Sequence, residues 1–589
     1  MNYRSLTRWI LILLLTTLAF SCSEAAKRKI IILETTDLHG VIFPYDFTEQ
    51  KELNSSLANI ATYLKKLRQK KTPVIILDNG DNLQGQPSVY YHNYLDTVSP
   101  HLNAQVMNFL GYDAGTVGNH YIEAGHAVYD KLIKEYNFPL LAANAVSTET
   151  GKPYFKPYHI VEKKGIKVAV LGLITPSVPN WLPPELYSGI EFRDMTETAK
   201  QWISAIKEEK PDLIVGLFHS GWDKSEISLQ GNNNIIEDGS ASVAYNVPGF
   251  DIIFTGHDHN IANEKIVNIS GDTVLILNGG SRAQKIARAD ITILPGKNTG
   301  TKTSIIKGEI VNVEDYRADP DFLSKFDLEF KRIEQYVNRV IANSSETISS
   351  RDSYFGSSAF VDMIHSIQLE LTNADISFAA PLSFDVKISS GPVKVADMFK
   401  LYRYENFLYA IYMSGEEIKD YLEYSYDQWL NTMKGPQDNL LKFRVGNNGK
   451  PVLNNGRAWL RNQSYNFDSA AGIDYVVDIS KPEGSRILIK SLSNGRPFGK
   501  KNIYKVAINS YRGSGGGSHL TSGAGISKND IKSRIIFSTD RDLRFFMMKY
   551  LENKKIINPS AFNNWRIIPE QWVEVAAPRD YQLLFGTTN

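Results

Sequence analysis

Cysteine is almost missing from this sequence: of 589 residues, only Cys22 carries a thiol. No disulfide can form within the chain, so each folded unit must stand on its own apolar core. An excess of charge of either sign is missing too. The 65 Lys and Arg are opposed by 64 Asp and Glu, leaving a net charge of +1. That gives no long-range electrostatic case for a nucleic-acid polymer or an anionic membrane. Long apolar runs are confined to the start. The stretch Trp9 to Phe20, preceded by Arg4 and Arg8, is too short to span a bilayer and reads as a targeting segment. Internal repeats are lacking, and the only low-complexity feature is one Gly-rich loop, "YRGSGGG".

What is present is length. A chain of 589 residues exceeds a single ordinary core, so two or more domains are expected. Cys22 follows the apolar run in "LAFSC", which resembles the lipobox of bacterial lipoproteins. The resemblance implies that residues 1–22 are a signal peptide and that the mature chain is exported and lipid-anchored in the bacterial envelope. Membrane contact is then expected only through Cys22, with a monomeric body expected beyond the Ser23–Lys27 tether.

The first half alternates short apolar runs with helical patterns, which predicts an α/β domain with buried central strands. Strands are expected at Lys29–Thr36, Pro73–Gly80, Asp113–Asn119, Lys167–Ile174, Asp212–Phe218, Phe250–Gly256 and Thr273–Gly280. Helices are expected at Ser55–Lys71 and Thr196–Glu209. A further long helix is expected over Asp319–Ile341. Asp319 fits its N-cap, Pro320 its first position, and Phe322, Phe326, Phe330, Ile333, Val337 and Val340 one apolar face. It would join the first domain, 28–315, to an α+β domain over 346–589, with 316–345 as the linker.

Polar residues collect where five of the strands end. Asp37 and His39 follow the first, Asp81 the second, Asn119 and His120 the third, His219 the fifth, and His257 and His259 the sixth. Any one of these reads more simply as a cap or a satisfied core residue. Together they fall at the carboxyl ends of strands, where α/β sheets place their sites. Imidazole, carboxylate and amide oxygen suit divalent Zn, Mn, Fe or Co, and there are donors for two ions. Two ions about 4 Å apart can clamp both oxygens of an in-line phosphoryl displacement, so no protein nucleophile is required.

The set "DLHG", "GDNLQG", "GNH", "FHSG" and "GHDH" resembles the calcineurin-like dimetal phosphoesterases, within the bacterial 5′-nucleotidase superfamily. The resemblance implies an α/β/β/α sandwich followed by a nucleotide-binding α+β domain. It implies one ion on Asp37, His39, Asp81 and His259, and another on Asp81, Asn119, His219 and His257, with Asp81 bridging. His120 would be the catalytic histidine. Tyr121 stands where that pattern has Glu, and Glu123 is expected to orient His120 at a longer reach.

In the second half, "LYRYEN" and "NSYRGSGGG" look like the branch acting on 2′,3′-cyclic nucleotides and 3′-nucleotides. Tyr404 and Tyr511, each beside a turn or Gly-rich loop, could sandwich a base. Asn509 and Arg512 are further substrate candidates. Gly513, Gly515, Gly516 and Gly517 would let backbone approach the ligand. Asp375 reads as structural; Asn466 and Asp468 fit either a ligand contact or a closed turn. The expected activity is opening of 2′,3′-cyclic nucleotides and removal of the 3′-phosphate. The alternatives are a 5′-nucleotidase or nucleotide-sugar hydrolase, and a nucleotide-binding lipoprotein with weak catalysis.

Overall fold

The computed structural model describes residues 27–229, 236–294 and 303–586. The expected signal segment, residues 1–22 with Cys22, lies outside them. Among the described residues, no helix is long and apolar enough to cross a membrane.

Five strands carry the argument: β1 (Arg28–Thr35), β2 (Val74–Asp78), β3 (Ala114–Thr116), β4 (Leu213–His219) and β5 (Ile252–Thr255). β1, β2 and β3 run parallel in one six-stranded sheet, with Leu33 beside Ile76 and Leu77 beside Ala114. β4 and β5 run parallel in a second six-stranded sheet, with Val215 beside Ile252. Side chains alternate along a strand, so β1 sends Ile30 and Ile32 between the sheets and Ile31 and Leu33 outward under helices. A strand buried on both faces must read as a continuous apolar run, and "IIIL" does. The result is the expected helix–sheet–sheet–helix sandwich. Every site strand is parallel to its site neighbours, so their carboxyl ends share one edge.

The expected third strand is cut short. It ends at Thr116, and Asn119–Glu123 is a short helix that starts after Gly118. The long helix α1 spans Pro320–Asn338, and Asp319 caps it by accepting from the Phe322 N–H at 2.9 Å. Phe322, Phe326, Ile333 and Val337 are buried in the first domain's core, with Phe330 half-buried against it. Val340 is not on that face. Arg339 leaves helical geometry, and Val340 opens the strand Val340–Ser344, exposed to solvent. α1 is therefore a buried element of the first core.

The second unit is built on a five-stranded sheet ordered Ser469–Ala471, Ile376–Ala379, Ile503–Asn509, Leu408–Ser414, Ile535–Ser538. Helices Ala359–Thr372 and Gly415–Trp429 pack on it. Asp375 is structural, as expected: its carboxylate accepts from the Lys505 N–H at 3.0 Å.

Candidate dimetal centre and nucleoside cleft

The sheet edge brings all seven candidate donors together. One group is Asp37, His39 and His259; a second is Asp81, His219 and His257, each with its ligand atoms within 4.8 Å of one another. His39 Nε2 lies 3.0 Å from His259 Nε2, and His259 Nε2 lies 3.4 Å from Asp37 Oδ1. His219 Nε2 is 3.0 Å from Asp81 Oδ2. Asn119 Oδ1 sits 2.9 Å from His257 Nδ1 and 3.2 Å from His219 Nε2, completing the second group.

The outer atoms fix which nitrogen faces inward. The Asn79 carbonyl, 2.6 Å from His219 Nδ1, can only accept, so Nδ1 carries a hydrogen and Nε2 is the nitrogen turned toward the centre. The Gln84 carbonyl does the same for His39 at 3.1 Å. Glu237 lies 3.2 Å from His257 Nε2, turning Nδ1 toward the centre, and the Trp181 ring stacks on this imidazole with ring centroids 5.3 Å apart. Neither Glu237 nor Trp181 was singled out by sequence.

Backbone conformation supports the same reading. Asp37, His39, Asp81, His257 and His259 all have φ between 48° and 72°. Left-handed backbone is uncommon in residues with a Cβ, and it clusters at functional sites. Crowding adds to it: a Cβ on Gly118 would lie 2.1 Å from Asp81 Oδ1, so only glycine permits this approach.

The donors fit divalent ions on an observation independent of the motifs. Asp37 Oδ1 is fully buried and has no hydrogen-bond partner, and two imidazole nitrogens face each other beside it. Such an oxygen is costly unless a cation meets it. Burial, assisted by the nearby His120 charge, pushes the His39 imidazole down to about 3, so it stays neutral as a ligand must. Burial also works against charge on His219, but Asp81 outweighs it and holds this imidazole up to about 9. Its proton is therefore retained as pH rises past the ordinary histidine range and lost near 9. An ion at Nε2 must displace that proton. Titrating the metal-free protein with Mn²⁺ at neutral pH should thus release protons, and apparent affinity should rise with pH toward 9. A weakly buffered titration with no proton release would contradict the His219 assignment.

His120 stands beside this centre. Its Nε2 is 3.9 Å from Asp81 Oδ2, and its Nδ1 touches Glu123 Oε2 directly. The expected longer reach is corrected here. Because Asn119–Glu123 is helical, His120 and Glu123 are i and i+3 neighbours on one face. Burial opposes the His120 charge, yet Asp81 and Glu123 overcome it and hold the imidazole up to about 10. Tyr121 points away into the core, where its hydroxyl accepts from Asn82 Nδ2 at 2.9 Å.

A cleft runs from His120, Glu123 and His257 to the second domain, where Tyr404, Asn509 and Tyr511 line it. Tyr465, Asn406 and Leu382 also line it and were not anticipated. Tyr465 stands perpendicular to both other tyrosines, 6.2 Å from Tyr404 at 83° and 6.4 Å from Tyr511 at 90°. Two rings form walls and the third closes the slot between them. The Gln84 amide donates to the Arg403 carbonyl at 3.2 Å, linking the loop around His39 to the residue before Tyr404.

Arg512 does not face the cleft. It is 2% exposed, and all five of its N–H groups are used. They bond both Asp468 oxygens at 2.9 and 3.0 Å, Asn466 Oδ1 and the Gly516 carbonyl at 3.1 Å, and the Tyr465 carbonyl at 2.7 Å. No donor remains for a ligand. Arg512 instead ties the slot's floor to its Tyr511 wall, which explains Asn466 and Asp468 as well. The glycines are reassigned in the same way. A Cβ on Gly516 would sit 2.5 Å from the Tyr511 ring, one on Gly517 2.3 Å from Arg512 Nη1, and one on Gly513 2.3 Å from Tyr409. Gly515 has φ 98° and turns the loop. For Gly513, Gly516 and Gly517 the close approach is made by protein side chains. Arg512→Met should destabilise the protein by about 3–5 kcal/mol, because Asp468 would be left buried and unpaired. Urea unfolding measures this, and a loss under about 1 kcal/mol would refute it.

Comparison with known proteins agrees with this architecture. Residues 30–260 match the calcineurin-like phosphoesterase family, and residues 340–522 match the 5′-nucleotidase C-terminal domain. The chain is therefore a phosphoester hydrolase with a divalent-metal fold. It carries, in order, a calcineurin-like phosphoesterase domain and a 5′-nucleotidase C-terminal domain. It is 26% identical over 94% of its length to the 2′,3′-cyclic-nucleotide 2′-phosphodiesterase/3′-nucleotidase of Yersinia enterocolitica, covering 90% of that protein. It is 28% identical to the trifunctional nucleotide phosphoesterase YfkN of Bacillus subtilis, over 95% of this chain but only 40% of YfkN. A Staphylococcus aureus crystal structure with bound alpha-ketoglutarate shares the fold at a TM-score of 0.73 and 20% identity, covering 92% of this chain and 99% of that one.

Proposed function

We propose that this protein hydrolyses 2′,3′-cyclic nucleotides to 3′-nucleotides, and 3′-nucleotides to nucleoside and phosphate. The observation that carries the reading is the tyrosine slot of one domain opening onto the donor cluster of the other in a single cleft. The Yersinia relative, named for this activity and similar along nearly its whole length, supports it. Asp37, His39, Asp81 and His259 would hold one ion, and Asp81, Asn119, His219 and His257 the other. When bound, two such ions supply Lewis-acid charge and lower the pKa of water.

The chain's own residues do the rest. Tyr404 and Tyr511 stack on the base, and Tyr465 sets how deep it enters. His120 holds a proton at Nε2, on the cleft side, and passes it to the departing ribose oxygen, while Glu123 fixes the ring through Nδ1. The division of labour assigns bond breaking to the first domain, whose core takes in the helix Pro320–Asn338, and nucleoside binding to 346–589. Gating by rotation of one domain against the other would have to break the Gln84–Arg403 link. The ions are Mn, Zn, Fe or Co, and export with a lipid anchor at Cys22 belongs to the same reading.

The test is phosphate release by the chain from Ser23, with 2′,3′-cyclic AMP, 3′-AMP and 5′-AMP, with Mn²⁺ or with chelator. Metal-dependent turnover of the first two is expected; preference for 5′-AMP would overturn the substrate reading. Tyr511→Ala should raise KM about 5- to 150-fold, the equivalent of one lost stacked face, with a smaller effect on kcat. An unchanged KM would remove Tyr511 from the slot.

A further inference from the structure

A second surface, away from the cleft lining, combines charge and apolar area in a way that catalysis does not use. Between Asp438 and Asp468 the chain carries no acidic residue, yet it carries Lys442, Arg444, Lys450, Arg457 and Arg461. In a protein of net charge +1 this is a strongly one-sided segment. It folds as a small sheet. Leu453–Asn454 pairs with Arg457–Ala458, Phe443 bridges Leu460, and the Arg444 N–H bonds the Trp459 carbonyl at 2.8 Å.

Alternation along these strands divides the sheet into two faces. Phe443 and Ala458 are buried in the second domain's core, and Leu460 packs against it. The other face is turned to solvent and carries Arg444, Val452, Arg457, Trp459 and Arg461, with Trp459 51% and Val452 46% exposed and Lys450 exposed beside them. Val445 and Leu453 share the side of Phe443 and Ala458 by register, yet are 61% and 54% exposed, so the apolar area continues around the sheet's edge. The Arg444 guanidinium lies 5.7 Å from the Trp459 ring centroid. Trp459 is the only tryptophan among the exposed large hydrophobics of the described residues. The face is firmly seated, since its inner side chains belong to the core.

We propose that this face is a docking surface for an anionic lipid bilayer. Arginine and lysine pair with headgroup phosphates, a tryptophan sits at headgroup level, and aliphatic tips enter the acyl boundary. Each component has its counterpart here. A polynucleotide fits less well: it gives no partner to Val445, Val452 and Leu453, and the Trp459 ring that would stack on a base already lies beside Arg444. The surface acts on the folded body of the protein and is independent of any N-terminal anchor.

The test uses the chain from Ser23, which keeps every described residue and removes the signal segment. It is sedimented with vesicles of phosphatidylcholine alone, or of phosphatidylcholine mixed with phosphatidylglycerol. Retention is expected only on the mixed vesicles and should weaken with added salt. Arg444→Glu, Arg457→Glu and Trp459→Ala should each reduce retention about five-fold or more, at unchanged hydrolysis of 2′,3′-cyclic AMP. Unchanged hydrolysis also shows that the variants are folded. No retention of the parent on mixed vesicles, or equal retention of all variants, would overturn the proposal. So would binding of single-stranded RNA in preference to vesicles, lost in the same variants.

Discussion

Asp81→Ala protein is expected to lose both ions and to fall by on the order of 10³-fold or more in turnover, as removal of several kcal/mol of transition-state charge stabilisation requires. The reason is position. Asp81 Oδ2 faces His219 at 3.0 Å, while Oδ1 accepts the His120 backbone N–H at 2.9 Å, so one carboxylate joins the second donor group to the catalytic loop, and the proposed bridge would extend it to the first group. Its carboxylate is held well below the usual range: burial opposes this, but His219 and His120 prevail. No other donor can take over a bridge. His259 offers the contrast. It is the outermost donor, with its side chain 48% exposed, and His259→Ala should lose one ion and retain the other. Elemental analysis of the purified variants separates the two cases. Two ions retained by Asp81→Ala would end the bridging assignment.

His120→Ala is expected to lower kcat about 10²- to 10⁴-fold, the usual worth of a positioned proton donor, with both ions still bound. His120 sits next to the centre without supplying an inward lone pair to it: Nδ1 is taken by Glu123, and Nε2 stands 3.9 Å from Asp81. Loss of the imidazole therefore removes a proton path but no ligand. Glu123→Gln should give a smaller loss and move the alkaline limb of the kcat profile to lower pH, since the ring would keep its place with less negative charge beside it to hold the His120 proton. Metal lost from His120→Ala would show that the imidazole is a ligand after all. Unchanged kcat would move proton transfer to solvent.

The metal centre was legible because its information is local. Each donor follows an apolar strand within a few residues, and parallel strands place those ends on one edge whatever else the fold does. The second domain was legible only in part. Tyr404 and Tyr511 announce themselves by turns and glycines. Tyr465 lies in "SYNFD", where the polar Asn466 and Asp468 are the plainer signal; its role depends on a perpendicular packing that no spacing encodes. Arg512 misled because a cation beside a Gly-rich loop suggests a phosphate. Only the tertiary placement of Asp468, 44 residues earlier, shows that its donors are spent. Glu123 was judged by counting along the chain, but a helix of five residues brought it round to His120.

The left-handed backbone under five donors carries a consequence for re-engineering this centre. Exchanging one side chain for another there is a choice about conformation as much as chemistry. Asn and Gly accept such φ values readily, whereas β-branched and long residues do not. Retuning the ions by substitution is thus confined to a short alphabet at Asp37, His39, Asp81, His257 and His259. Asn119 and His219, on ordinary helical and strand backbone, are where a wider range of donors can be tried.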